Sequence, residues 1–274
     1  MRWPSLLLMT ALILAMPGCR ILGPFSPFRP VEQLLIYPQS VAPTFSQQGS
    51  SGGRQVWVET EDHHRLEGRY FAHPNPQAVA LYCHGNIGTV DKWAHLTERL
   101  SKLHRLSILV FDYRGYGRST GMANERGILQ DAEAARDWLA KENGIQPSDV
   151  VLIGRSLGGA VAVDLAANGG ARGLILESTF SSLPDVAERH AAWLLPKWNM
   201  TQRLNSGEKI KTYSGPVLQS HGDADHLIPL SVAKQLFSSA PGPKKFIVVP
   251  DGTHNDDHIR YCAAERENFL HSLP

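Results

Sequence analysis

Apolar and polar positions alternate between two rhythms along most of this chain. From Gln55 onward, short apolar runs predict strands at Gln55–Thr60, Leu66–Phe71, Ala78–Cys83, Ser107–Phe111, Val150–Gly154, Gly173–Glu177, Val217–His221 and Lys245–Val249. Unbroken runs such as Val150-Val-Leu-Ile-Gly154 and Phe246-Ile-Val-Val249 predict strands covered on both faces. Helical spacing fills the intervals: Val90–Leu103, Glu125–Glu142, Leu157–Ala167, Leu230–Ser239 and Tyr261–Leu270. In Glu125–Glu142, Ile128, Ala132, Ala135, Trp138 and Leu139 share one face, and Asn143-Gly144 supplies the stop. Two leading strands followed by repeated strand–helix units predict an α/β domain with a mostly parallel, doubly wound sheet of about eight strands.

Two stretches break the rhythm. Residues 178–213 form a long insertion after a strand, with Trp193, Leu194, Leu195, Trp198 and Met200 clustered inside it. An α/β sheet carries a lid at such a place. The other is the N-terminus. Arg2 followed by the apolar stretch Leu6–Met16 and then Gly18-Cys19 reads as an export signal over residues 1–18, too short to span a bilayer as a helix. Met16-Pro-Gly-Cys19 resembles a bacterial lipobox, which would make Cys19 a lipid attachment site. A membrane-attached lipoprotein facing the periplasm or the cell exterior is the expected location. Residues 19–54, rich in Pro, Gly, Ser and Gln, suit a tether, except that residues 31–38 are apolar enough to dock on the domain, which occupies 55–274.

Composition narrows the classes. With 27 Lys+Arg against 26 Asp+Glu in 274 residues, there is no basic excess with which to bind nucleic acid. Three cysteines, none in a C-x-x-C, exclude a disulfide scaffold, and Cys83 and Cys262 are expected to be unpaired core thiols.

The chemistry centres on Gly154-Arg-Ser-Leu-Gly158. The G-x-S-x-G spacing alone is weak, but here it directly follows a strand and precedes a helix rich in small residues. That setting strains the Ser156 backbone and requires glycine two positions to either side. It also aims the helix N-terminus, with the Leu157 N–H, at a developing oxyanion. A serine hydroxyl needs a base. Of twelve histidines, His254 follows the last strand on the same edge as Ser156. His258, at the start of the last helix, competes but is expected to be solvated. The third member is a carboxylate, and both Asp223 and Asp225 follow the strand ending at His221.

Five segments together, Cys83-His-Gly-Asn86, Phe111-Asp-Tyr-Arg-Gly-Tyr-Gly-Arg-Ser119, Gly154–Gly159, His221–Pro229 and Gly252–Asp256, resemble the α/β-hydrolase superfamily in order and content. The nearest subgroup is similar to the small-lid serine aminopeptidase-like enzymes and to α/β-hydrolase domain-containing proteins 13 and 17. The resemblance implies that the triad acid is Asp225 and that the Asn86 N–H is the second oxyanion donor. It also implies that no metal or organic cofactor is needed. The Asp112–Ser119 loop, which lacks the third glycine of a G-x-G-x-x-G, is then read as one wall of the mouth, with Arg114 and Tyr116 as minor candidates for touching substrate and His84 as a loop support.

The expected activity is hydrolysis of small-molecule carboxylic esters with a small-to-medium hydrophobic acyl group. Thioesterase or aminopeptidase activity on the same triad is the first alternative, and a catalytically silent surface binding protein the second. A metal-dependent phosphoesterase is the rival mechanism, on the strength of the Asp and His residues at 223–225 and 254–258. It leaves the serine elbow unexplained.

Overall fold

The computed structural model describes Glu32, residues 35–38, 52–192 and 196–274. The export signal at 1–18, Cys19, most of the tether and Trp193, Leu194 and Leu195 lie outside the described residues. Among the described residues, no helix is long and apolar enough to cross a membrane.

Eight strands form one sheet: β1 (Arg54–Glu59), β2 (Arg65–Phe71), β3 (Ala78–Cys83), β4 (Leu106–Phe111), β5 (Val151–Arg155), β6 (Gly173–Glu177), β7 (Val217–Gly222) and β8 (Lys244–Val249). Their order is β1-β2-β4-β3-β5-β6-β7-β8. The β1–β2 and β2–β4 pairs are antiparallel, and every later pair is parallel. Each parallel pair needs a crossover, which the helices supply: α1 (Val90–His104), α2 (Glu125–Asn143), α3 (Leu157–Gly169), the insertion helices α4 (Leu183–Ala191), α5 (Pro196–Asn199) and α6 (Ser206–Lys209), then α7 (Leu230–Ser239) and α8 (His258–Ser272).

Alternating strand residues build two cores. On one face Leu81, Leu109, Phe111 and Leu152 pack with Ile128, Ala132 and Leu139 of α2, Val161 and Leu165 of α3, and Val232 and Leu236 of α7. On the other, Tyr82, Val110, Ile153 and Leu218 pack with Ala94 and Leu100 of α1 and with Ile259 and Leu270 of α8. β3 and β4 to β7 are buried along their whole length, as continuous apolar runs imply.

β8 corrects the reading of Phe246–Val249 as covered on both faces. It is the edge strand, only its last residue is buried, and Val248 is 40% exposed. An apolar run reports what a strand could bury, not whether a neighbour is there. Phe246 meets Phe237 of α7 edge-on at 5.2 Å, and the exposed Lys244 and Lys245 keep the edge from pairing with another chain. The last helix starts three residues before its predicted start because the Asp257 side chain accepts from the Ile259 N–H at 3.0 Å and caps it.

Register decides where the site can form. Cys83 pairs with Gly154, Arg155 with Glu177, Glu177 with Ser220 and Gly222 with Val249. The C-terminal ends of β3, β5, β6, β7 and β8 are therefore level, and the loops after them open on one edge of the sheet.

Ahead of β1, Glu32 and residues 35–38 lie against the domain. Tyr37 is fully buried, and its hydroxyl donates to Gln202 Oε1 at 3.2 Å. The Glu32 carboxylate accepts from the backbone N–H groups of Thr201 and Gln202 at 2.8 and 3.0 Å.

Candidate active site

Ser156 sits between β5 and α3 with φ 54° and ψ −119°. That region is costly for any residue with a Cβ, and it thrusts the side chain clear of both elements. The turn closes only because its flanks are glycine. A Cβ on Gly154 would lie 2.4 Å from the Gly158 carbonyl oxygen, and one on Gly158 would lie 1.9 Å from the Cys83 oxygen. The Ser156 N–H donates to the Glu177 carbonyl at 2.9 Å, and the Ser156 carbonyl accepts from Thr179 Oγ1 at 2.8 Å. Both backbone groups of the serine are thus tied to β6 and the residues following it.

His254 Nε2 lies 3.1 Å from Ser156 Oγ, and its Nδ1 lies 2.8 Å from Asp225 Oδ2. A carboxylate can only accept, so Nδ1 carries the proton and Nε2 presents a lone pair to the serine hydroxyl. Asp225 is buried, which by itself raises a carboxyl pKa. Hydrogen bonds from His221 and His254 and from the Ile228 N–H outweigh burial and hold it well below the usual carboxylate range. Its other oxygen accepts from the N–H groups of Leu227 and Ile228 at 2.9 and 2.8 Å. Asp223 is exposed and makes none of these contacts.

The other two predicted site residues flank the serine. Leu157 is the first residue of α3, where a helix leaves N–H groups without intrahelical partners. Asn86 follows Gly85, whose built Cβ would come 3.5 Å from the Ser156 Cβ, so the His84–Asn86 loop lies beside the elbow. His84 is fully buried under that loop with Nδ1 2.7 Å from the Gly85 carbonyl, its only possible role there being donor. The peptide joining Gly85 to Asn86 therefore has its oxygen fixed, and the Asn86 N–H points the opposite way. Tyr113 donates to the His84 carbonyl at 3.0 Å and Tyr116 to the Asn86 carbonyl at 3.3 Å.

Arg114 and Tyr116, the minor candidates for touching substrate, are both buried and bonded within the fold. Arg114 is buried and bonds Asp131 Oδ1 at 2.9 Å and Asp62 Oδ2 at 2.8 Å, while Tyr116 is spent on the Asn86 loop. His258 is a second correction. It is 1% exposed, not solvated, with Nε2 3.0 Å from Ser178 Oγ and Nδ1 2.8 Å from Ser220 Oγ. Those hydroxyls draw it inward and pin the start of α8 to the ends of β6 and β7. Cys83 and Cys262 are buried and unpaired.

Sequence reasoning missed two contributors. His221 stands four residues before Asp225 and shares its Nε2 between the Ile228 carbonyl at 2.7 Å and Asp225 Oδ2 at 3.3 Å. Its spacing within His221-Gly-Asp-Ala-Asp225 was the available signal. Arg155, the variable position of G-x-S-x-G, reaches the loop that carries His254, and nothing in the motif pointed to it.

The family described as Serine aminopeptidase, S33, matches residues 74–213. An uncharacterized protein of Mycobacterium tuberculosis is 38% identical over 231 residues, which are 83% of this chain and 82% of that protein. The lysophosphatidylserine lipase ABHD12 of Macaca fascicularis is 29% identical over 238 residues, 80% of this chain and 56% of that protein. Among solved structures, the esterase PF2001 of Pyrococcus furiosus aligns with a TM-score of 0.69 at 18% identity, over 84% of this chain and 96% of that one. At that identity the likeness is one of fold.

Proposed function

The chain belongs to the S33 serine aminopeptidase family of α/β hydrolases, and on that premise we propose that it hydrolyses carboxylic esters with a small-to-medium hydrophobic acyl group through Ser156, His254 and Asp225. One observation carries the reading: an unbroken line from Ser156 Oγ through His254 to a buried, ionised Asp225, set on a strained strand–helix turn. His254 Nε2 takes the Ser156 proton as the oxygen attacks the carbonyl carbon, and Asp225 stabilises the imidazolium that forms. The N–H groups of Leu157 and Asn86 take up the charge on the tetrahedral oxygen. His254 returns the proton to the departing alkoxide, leaving an acyl-serine. Water, deprotonated by the same nitrogen, then releases the acid.

The acyl preference rests on the apolar cluster Trp193, Leu194, Leu195 and Trp198 within the 178–213 insertion and on similarity to a lipase. The family description favours an aminopeptidase as the second reading. A panel of p-nitrophenyl esters, acyl thioesters and aminoacyl anilides separates them, with butyrate-to-octanoate esters expected to turn over fastest. A fluorophosphonate probe should label the wild type and not Ser156→Ala. Asp225→Asn should lower kcat about 10⁴-fold. Equal labelling of Ser156→Ala would sink the proposal.

A further inference from the structure

Arg155 ends β5 immediately before Ser156 and is 5% exposed. Its Nη2 donates to two backbone carbonyls of one loop, those of His254 and Asp256, each at 2.9 Å. Its Nη1 stands 3.7 Å from Glu177 Oε2, and Glu177, 1% exposed, also pairs with the equally buried Arg266. Two cations and one anion are thus taken out of water at the ends of β5 and β6 and in α8. Desolvating a guanidinium is expensive, and apolar residues would fill that volume at lower cost.

The position of these charges gives them a use. Residues 250–257, which carry His254, contain no helix or strand. The loop's own bonds, from the Thr253 N–H to Asp256 Oδ2 at 2.6 Å and from the Asp256 N–H to the Thr253 carbonyl at 3.4 Å, shape it, while the Ala224 N–H on the Gly252 carbonyl at 3.0 Å and Arg99 on Asp257 Oδ2 at 2.9 Å anchor its two ends. Asp225 orients the imidazole by its side chain and bonds the ring, not the main chain beneath it. Between those two anchored ends Arg155 bonds the main chain at His254 itself, and it does so from the position next to Ser156. Because the Ser156 N–H is itself bonded to the Glu177 carbonyl, nucleophile and base are both held from the β5–β6 pair.

We propose that Arg155 is a positioning residue whose guanidinium holds the His254 main chain so that Nε2 stays within hydrogen-bond reach of Ser156 Oγ. The proposal rests on the triad reading above. A fork of coplanar donors suits two carbonyls on one loop, and a displacement of about 1 Å at such a contact can cost 10²-fold in rate.

The test uses the full chain with Arg155→Ala and Arg155→Gln, assayed on a p-nitrophenyl ester and by the rate of fluorophosphonate labelling. Expected are a kcat about 10²-fold lower for Arg155→Ala, a KM within about twofold of wild type, and labelling slowed in parallel. Methylguanidinium chloride should restore at least about tenfold of the loss in Arg155→Ala, where methylammonium at equal concentration should not. It should do nothing for Asp225→Asn. If Arg155→Ala does not fold, Arg155→Gln carries the test through the same kcat and KM split and through loss of the low-field His254–Asp225 proton resonance. A kcat within about twofold of wild type, or a loss matched by the fraction unfolded and untouched by methylguanidinium, would overturn the proposal. Turnover by Ser156→Ala would instead overturn the triad reading, whatever Arg155 does.

Discussion

His254 and His258 are one helical turn apart in sequence and do opposite things. The first presents a lone pair to a hydroxyl at the sheet edge, and the second is sealed between two serines. Burial holds the His258 imidazole at about 4, against 6.5 for a free histidine. Between those values the unfolded chain binds a proton that the folded chain refuses. The contribution of this group to stability is therefore complete above pH 6.5 and is lost as the pH falls toward 4. For a shift of this size the loss is on the order of 3 kcal/mol. Urea midpoints taken at intervals from pH 7 to 5, where the change begins and few carboxylates titrate, should fall for the wild type and fall less for His258→Gln. Equal slopes would show that His258 is not held neutral.

At the scale of elements, strand ends made much of the candidate site legible, while the choice of Asp225 over Asp223 and of Asn86 as second donor came only from the family resemblance. Ser156, Asp225 and His254 each come just after an apolar run, and parallel strands with level C-terminal ends must deliver their succeeding loops to one edge. Arg155 was not legible for an equally physical reason. Its partners are main-chain oxygens 99 and 101 residues further on, and a carbonyl has no sequence signature. β8 was misread because hydrophobicity does not say which strand lies outermost, and His258 because its partners, Ser178 and Ser220, sit on two other strand ends. The packing of α3 onto β3 gives a sharper expectation than any of these. Gly158 lets the helix come so close that an added methyl would strike the Cys83 carbonyl at 1.9 Å, backbone against backbone. Gly158→Ala should cost about 3 kcal/mol or more, the upper end for overpacking, and should also remove labelling of Ser156. A calorimetric Tm unchanged from wild type would mean that α3 can slide.

Across the whole molecule, Glu32 and residues 35–38 belong to the same body as the site. Leu35 contributes its carbonyl to Asn86 Nδ2 at 3.4 Å, while Tyr37 and Glu32 hold Gln202 and Thr201 of the insertion. Gln202 Oε1 in turn accepts from the Glu125 N–H that opens α2, at 2.8 Å. Burying Ile36 and Tyr37 is worth roughly 1.5–3 kcal/mol apiece before the cost of ordering their backbone is deducted. A chain starting at residue 39 should therefore lose about 2–4 kcal/mol in urea unfolding relative to one starting at residue 31. An equal midpoint for the two would show that the segment is not part of the folded unit.

The 98 residues that separate Ser156 from His254 also set a schedule. Synthesis proceeds at about 5–20 residues per second, so Ser156 is made on the order of 5–20 s before His254. The elbow can fold early, since β3 and β4 precede it and β5 pairs with β3. On the proposed triad, the hydroxyl has no base until β7, β8 and the loop after them have emerged and docked. On that proposal, a growing chain with a half-formed mouth carries a serine without its base, and the pair is complete only once the loop after the last strand has docked.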